Sequence, residues 1–265
     1  MLKNKSNLIL IQGGGDLASG VAAVLHRHGW KVVITEIADP LVVRRKVAFA
    51  ESVWEKRVWV EGIEAALAES DQEVIRLLSE GVIPVVVDSE AKIAERIDFK
   101  AIIDARMLKR YLPKNSRWTA AIIGLGPGFV APENCAAVIE TNRGEKLGEI
   151  IWKGSAQADT GIPGIVEGRG LERVLYSPAA GVLKVFADIG VIVKRGQLLA
   201  DVAGVAVQAP FDGVVRGMLR EGISVEAGTK LGDVDPRINV ELAYQISDKA
   251  LIVGESVLRV LESLE

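Results

Sequence analysis

Cysteine and histidine are nearly missing from this chain of 265 residues, which has one cysteine, Cys135, and two histidines, His26 and His28. One cysteine excludes a disulfide within the chain and a thiolate metal cage. The two histidines lie two apart on one helix-like stretch and point to different sides, so a shared metal site is not expected there. A histidine-based zinc centre or a Ser-His-Asp triad has no other histidine to draw on, and no metal site is expected. Aromatic residues make up only 5% of the chain. A surplus of either charge is also lacking: 32 basic and 35 acidic side chains leave a formal net charge of −3. That balance gives neither a nucleic-acid groove nor a polybasic membrane patch. Long hydrophobic runs are missing too. The opening "MLKNKSN" is polar, Leu8 to Ile11 is too short for a signal-peptide core, and no run approaches a membrane span. A cytoplasmic protein is expected.

What is present is a chain 49% hydrophobic and 25% charged, long enough to bury one large core or several smaller ones. Its first part alternates strand-like and helix-like segments. Leu8 to Ile11, Val32 to Thr35, Val82 to Val87 and Ala101 to Ile103 read as buried strands. Leu17, Val21, Val24, Leu25 and His28 recur at helical spacing, with Gly29 as a stop, and further helices are expected at about 71–80 and 89–96. The expected fold is α/β, with a Rossmann-like, mostly parallel sheet over residues 1–172, including a glycine-loop extension over 119–172.

From about residue 173 glycines punctuate short valine-rich runs. "SPAAGVLKVFADIGVIVKRGQLLADV" (177–202) shifted by 32 positions falls on "APFDGVVRGMLREGISVEAGTKLGDV" (209–234) with nine identities in 26 positions. Four of the nine are at the turn-setting Pro178, Gly181, Gly190 and Gly196. The pattern resembles the two quasi-symmetric halves of a small all-β barrel-sandwich domain of the biotinyl/lipoyl type, expected over 173–238. In carriers of that fold a lysine sits on the hairpin between the halves. Here "VAGVAVQ" (202–208) has none, so neither lipoyl nor biotin is expected and a docking module is the better reading. In 239–265 Ser247 is placed to cap a helix whose stripe of Ala250, Val253, Val257, Val260, Leu261 and Leu264 calls for packing back onto the α/β part.

Gly13, Gly15 and Ala18 fit G-x-G-x-x-A between a strand and a helix, where backbone amides face a phosphate. Glu36, 21 residues after Gly15, stands where a ribose-binding carboxylate belongs. Asp16 disturbs the pattern, because its carboxylate enters the field a phosphate would use. Three readings follow: a nucleotide or dinucleotide site, a site for another small ligand, or a tight turn with Asp16 as helix cap. Arg44 and Arg45 fit an anion clamp or, equally, a solvated helix beside Glu51 and Glu55. Gly124, Gly126 and Gly128 in "GLGPGF" fit an amide nest or a strand-ending turn. Cys135 reads as a small buried hydrophobe or as a thiol facing the same cleft.

"GGGDLASGVA", "TEIADPLVVRRKVAFAESVW", "GLGPGF", "CAAVIETNRG", "DTGIPG", "GDVDPR" and "ISDKA" follow one another in this order through nearly the whole chain. Together they resemble the YqeB family of selenium-dependent molybdenum hydroxylase system (molybdenum cofactor biosynthesis) proteins, and more distantly the xanthine dehydrogenase accessory proteins. The resemblance implies an accessory factor that matures a molybdenum hydroxylase client. It would bind NAD(P) or another nucleotide, or a molybdopterin-type cofactor, with the barrel module and C-terminal helix mediating assembly into a homo-oligomer or docking to the client. It draws attention to Gly13, Gly14, Gly15, Asp16, Arg44, Arg45, Gly124, Gly126, Gly128, Cys135, Asp159 and Asp248, with Cys135 and Asp16 as the catalytic candidates. Cys135 would carry sulfur or selenium as a nucleophile. Ala136 and Glu145 stand where relatives are expected to have histidine. An NAD(P)-dependent oxidoreductase and a non-catalytic docking module are the alternatives.

Overall fold

The computed structural model describes residues 7–111, 113, 118–159, 161 and 163–264. The chain divides into two compact units: Met1–Pro40, Ala48–Thr160 and Ile246–Glu265 form the first, Leu41–Val47 and Gly161–Gln245 the second.

The first unit runs β1 (Leu8–Gln12), α1 (Asp16–Arg27), β2 (Lys31–Glu36), α2 (Ser52–Glu55), β3 (Arg57–Val60), β4 (Ile63–Leu67), α3 (Asp71–Ser79), β5 (Ile83–Val87), β6 (Ala101–Asp104), β7 (Ala121–Leu125), β8 (Ala137–Ile139), β9 (Ile150–Ile151) and α4 (Asp248–Ser263). Its nine strands make one sheet in the order β3-β4-β5-β2-β1-β6-β7-β8-β9. The strands from β4 to β8 along that order are parallel, and β3 and β9 close the edges antiparallel. The chain works outward from β1 through β2 to β5, then returns to the other side of β1 with β6. The strand order therefore reverses between β1 and β6, and the carboxyl ends of strands at such a reversal are where open α/β sheets take ligands.

Leu10, Val33 and Ile102 lie in register on adjacent strands and share a core with Val74 and Leu77 of α3. Side chains alternate along a strand, so Ile9, Ile11 and Ile34, all fully buried, face the other way. α1 and α4 pack side by side through glycine. A β-carbon on Gly20 would stand 2.4 Å from that of Ala250, and one on Gly254 would stand 2.8 Å from Val24. Position 20 meets 250 and 24 meets 254, so the helices run in the same direction and their N-termini converge. Ser247 caps α4 by accepting from the Ala250 N–H.

The second unit holds β10 (Val174–Tyr176), β11 (Gly181–Val185), β12 (Ile192–Val193), β13 (Leu198–Val202), β14 (Val205–Gln208), β15 (Gly213–Met218), β16 (Ser224–Val225) and β17 (Lys230–Asp235). They form two four-stranded antiparallel sheets, β10-β17-β15-β12 and β14-β13-β11-β16. The 32-residue shift carries the start of β11 onto β15, of β12 onto β16 and of β13 onto β17. It turns one sheet order into the other. Hydrogen bonds follow it as well: Gly190 donates to Val215 and Gly222 to Leu183, while Gly196 donates to Ala209 and Gly228 to Ser177. Each sheet takes strands from both halves, so neither half can bury Leu183, Leu199, Val215, Leu231 and Val234 alone.

The segment Leu41–Val47 belongs to this second unit, which corrects the reading of Arg44 and Arg45 as an anion clamp. Arg44 is buried and donates to the carbonyls of Leu242 and Gln245. Arg45 donates to the Met218 carbonyl through Nε and to Asp188 through Nη2. Both guanidinium groups tie this segment into the β unit. No helix among the described residues is long and apolar enough to cross a membrane.

Candidate functional site at the carboxyl edge of the parallel sheet

The glycine loop after β1 is only partly open. Gly13 has φ +93°, which an L side chain rarely adopts, and a β-carbon there would meet the Ala105 and Arg106 backbone after β6 at 3.4 Å. Gly14 is closed on both sides: its N–H donates to Glu36 Oε2 at 2.7 Å, its carbonyl accepts from Ala50, and a β-carbon would stand 3.0 Å from the Ala50 nitrogen. Gly15 is the N-cap of α1, with nothing within 4 Å of its missing β-carbon. The part of the loop that a ligand can approach is therefore Gly15 with half-buried Asp16.

Glu36 ends β2 with both carboxylate oxygens engaged by backbone, Oε2 by Gly14 and Oε1 by Ile37. It shapes the loop. Across the reversal point, buried Asp104 at the end of β6 accepts from the Arg106 N–H, Nε and Nη2, which folds Arg106 against the strand end. Gln12 and Thr35, register partners at the ends of β1 and β2, are buried, and Gln12 Oε1 and Thr35 Oγ1 have no hydrogen-bond partner among the described residues.

The second glycine loop is a packing turn, which corrects its reading as an amide nest. A β-carbon on Gly124 would fall 2.1 Å from the Phe129 ring, so glycine here makes room for a core aromatic. The Gly126 N–H donates to the Ile139 carbonyl. Asn134 holds the turn, accepting from the Val130 N–H and donating to the Gly128 carbonyl. Cys135 lies in the same apolar cluster as Ile122, Phe129 and Val138. Burial raises its thiol to about 11, against a weaker opposing backbone hydrogen bond from Gly124. A protonated, buried sulfur is a poor nucleophile, so the catalytic reading of Cys135 loses its physical basis.

A different group of residues converges. Buried Glu140, just past β8, accepts from the N–H groups of Asn142 and Gln157, both at 2.7 Å, and so ties the 140–144 loop to the 157–159 segment. Arg143 on that loop grips Asp248 with two bonds of 2.8 and 2.7 Å, fixing the loop to the start of α4. Asp159 pairs with Lys109 at 2.5 Å. Amid these lies Lys249, in the first turn of α4. Burial pushes its ammonium below the usual lysine range. The carboxylate of Asp16 opposes that, Arg143 adds to it, and Glu140 and Asp159 oppose it more weakly. The charges of Asp16, Glu140, Arg143 and Asp159, on three separate stretches of chain, all act on Lys249 in a fourth. Of these, Asp16 and Asp159 stood out in the sequence. Lys249, Glu140 and Arg143 did not, and the one local signal was a lysine in the first turn of a capped helix, where the dipole disfavours a cation.

No protein-family profile matches the chain. It is 41% identical over 257 residues to the uncharacterized protein YqeB of Escherichia coli K12, a match that takes in 97% of this chain and 48% of that one. The chain thus spans about half the length of the curated relative it matches. Among solved structures, the ectoine utilization protein EutE (DoeB) from Ruegeria pomeroyi in its product-bound form is 12% identical over 86% of this chain and 84% of its own, with a TM-score of 0.27. An aspartoacylase family protein from Mesorhizobium loti is 10% identical over 87% and 85%, again with a TM-score of 0.27.

Proposed function

We propose that this chain is a YqeB-type accessory protein in the maturation of selenium-dependent molybdenum hydroxylases. In this reading the first unit is a Rossmann-like domain. It binds a nucleotide or a nucleotide-bearing cofactor, molybdopterin-type cofactors included, at the carboxyl edge of its parallel strands. One observation carries the reading. Asp16 of "GGGD", Glu140 and Arg143 of "ETNRG", Asp159 of "DTGIPG" and Lys249 of "ISDKA" span more than two hundred positions, yet the charges of the other four all act on Lys249. These are the motifs that carry the family resemblance. A phosphate fits the open Gly15 end of α1, with Lys249 and Arg143 as its cations.

The second unit, in the same reading, is a barrel-sandwich module that docks the client enzyme or a second copy of the chain. Its β13–β14 hairpin turns at Ala203 and Gly204, both with positive φ, and offers no lysine for a prosthetic group.

Native mass spectrometry of gently purified protein tests the ligand, and a deletion strain tests the role. The expected results are a co-purifying nucleotide-bearing species and a client hydroxylase that is folded but lacks active cofactor. Normal hydroxylase activity in the deletion strain overturns the accessory role. Calorimetric binding of NAD or NADP, lost in Gly15→Val, would replace it with a dinucleotide oxidoreductase.

A further inference from the structure

On the reading of the second unit as a docking module, we propose that the outer face of its sheet β14-β13-β11-β16 binds an extended, acidic segment of a partner protein. The two copies of the 32-residue repeat present the same face in two conditions, one covered and one open.

On the sheet β10-β17-β15-β12 the chain covers its own outer face. The Val43 carbonyl accepts from the Met218 N–H, and a β-carbon on Gly217 would stand 2.5 Å from the Val43 side chain. Arg45 donates to the Met218 carbonyl and to Asp188, and the 240–243 turn packs on β15. Val214 and Met218 are left 1% and 0% exposed. The repeat puts Val182 and Phe186 at the same two positions in and just after β11, and these are 53% and 58% exposed. Leu198 is exposed as well, and the Phe186 N–H donates to Leu199 beside it. An apolar strip that one copy of the repeat buries under Leu41–Val47 is open in the other.

The size of the strip selects the kind of occupant. The five residues of β11 are about 17 Å long and four strands about 14 Å wide, which gives about 240 Å² against the about 800 Å² per partner of a stable dimer. That is room for one extended segment, as on the other sheet, and too little for a second copy.

Charge selects the chemistry of that segment. The 32-residue shift turns Asp188, the acceptor of Arg45, into Arg220. Gly190 donates to Val215 and Gly222 to Leu183, so the turn after Arg220 lies against β11 as the turn after Asp188 lies against β15. Arg216, 3.8 Å from Asp233 and 3.9 Å from Asp235, has Lys184 as its counterpart. Lys184 is exposed and makes no ion pair among the described residues, while its register partner Asp201 accepts from the Gly204 N–H. A segment on the covered face answers a carboxylate with Arg45. A segment on the open face meets a guanidinium and an ammonium instead, and so carries Asp or Glu there, with β-branched residues over Val182 and Phe186.

Peptide titration of the full chain tests the proposal. One probe is acetyl-PLVVRRKVA-amide, which copies residues 40–48, and the other is its charge-reversed form acetyl-PLVVEEEVA-amide. Affinity is read by calorimetry and the location by hydrogen-exchange mass spectrometry. The acidic peptide is expected to bind at least about tenfold more tightly than the basic one and to protect residues 182–186. Phe186→Asp and Lys184→Glu, both at exposed positions, should each weaken it about tenfold. Equal affinity for the two peptides, protection elsewhere, or no binding at about 1 mM overturns the proposal. So does a dimer in light scattering that Phe186→Asp converts to monomer, since the face then belongs to a second copy. Acidic-peptide binding alongside normal hydroxylase activity in the deletion strain keeps the face and sinks the accessory role. A defective deletion strain without peptide binding sinks the face and spares that role.

Discussion

In the second unit, buried aspartates are met by arginines of the same unit. Asp235 accepts from the Arg237 N–H, Nε and Nη2 and lies 3.9 Å from Arg216, and Asp233 lies between Arg173 and Arg216. In the first unit, Lys249 has carboxylates around it but no bonded partner among the described residues, and its charge is disfavoured by burial. The two arrangements have different consequences. Charge closed into hydrogen-bonded pairs on a sheet fixes architecture. Charge left open at converging helix ends is available to a ligand, at some cost in stability.

The repeat gives this comparison an internal control. Asp233 and Asp201 are equivalent under the 32-residue shift, but Asp233 is buried between two arginines while Asp201 is half-buried and accepts from the Gly204 N–H. Asp235 has Ala203 as its counterpart, so the ion network exists in one half only. Removing one partner of a buried pair leaves the other charge uncompensated, at about 3–5 kcal/mol. Asp235→Ala is expected to cost that much, and Asp233→Ala about 3 kcal/mol. Asp201→Ala should stay below about 1 kcal/mol, the range of a single exposed hydrogen bond. Urea unfolding of the three variants checks the order. Equal losses at Asp201 and Asp233 would erase the distinction between the halves.

The next expected effect lies in the first unit. Gly20→Val must push α1 and α4 apart, since even its β-carbon would lie 2.4 Å from that of Ala250. Overpacking of this kind costs about 2–3 kcal/mol. Gly15→Ala has open space and an ordinary φ of −66°, and should change stability by less than about 0.5 kcal/mol while hindering a ligand. Thermal unfolding with and without added nucleotide separates the two. If Gly15→Ala proves as destabilising as Gly20→Val, the loop is structural.

How much of this could be read beforehand depended on sequence distance. β1, β2, β5 and β6 were legible because buried parallel strands are continuous apolar runs. The 89–96 stretch forms only a short 3-10 turn, Lys92–Glu95, held by Asp88 accepting from the Ile93 N–H. Arg44 and Arg45 sit in a motif that reads as ligand-facing, but their acceptors lie 143 to 201 residues away and no spacing rule reaches them. Gly124 looked like part of a ligand loop because a sequence cannot distinguish a glycine that admits a phosphate from one that admits Phe129. Lys249 became visible only once α4 lay along α1.

Acid titration sharpens the comparison at lower amplitude. Burial opposes the charge of Asp235, but hydrogen bonds from Arg237, with the charges of Arg237 and Arg216, outweigh it and hold the carboxyl below its ordinary 3.8. A folded-state value depressed below the unfolded one stabilises fully above pH 3.8 and is lost as pH falls through the folded value. The second unit should therefore lose stability as pH drops from about 4 toward 2, by about 1.4 kcal/mol for each unit of depression. Asp235→Asn should flatten that part of the profile, measured by intrinsic fluorescence.

The smallest effect has the opposite sign. Removing the charge of Lys249 while keeping its length, as in Lys249→Met, relieves a cation from the first turn of α4 and from a half-buried position. The gain expected from the helix end is about 0.3–1 kcal/mol. Since the ammonium is disfavoured in the fold, the gain should be largest below the folded-state value of Lys249, where wild type must hold the proton, and should shrink as pH rises and the amine becomes neutral. The matched substitution Arg237→Met, which breaks a closed pair in the second unit, should be destabilising at neutral pH. Chemical unfolding at pH 6 and pH 10 reads both signs in one experiment. A loss of stability in Lys249→Met at pH 6 would make Lys249 a structural ion-pair member like Arg237, and the contrast between the units would vanish.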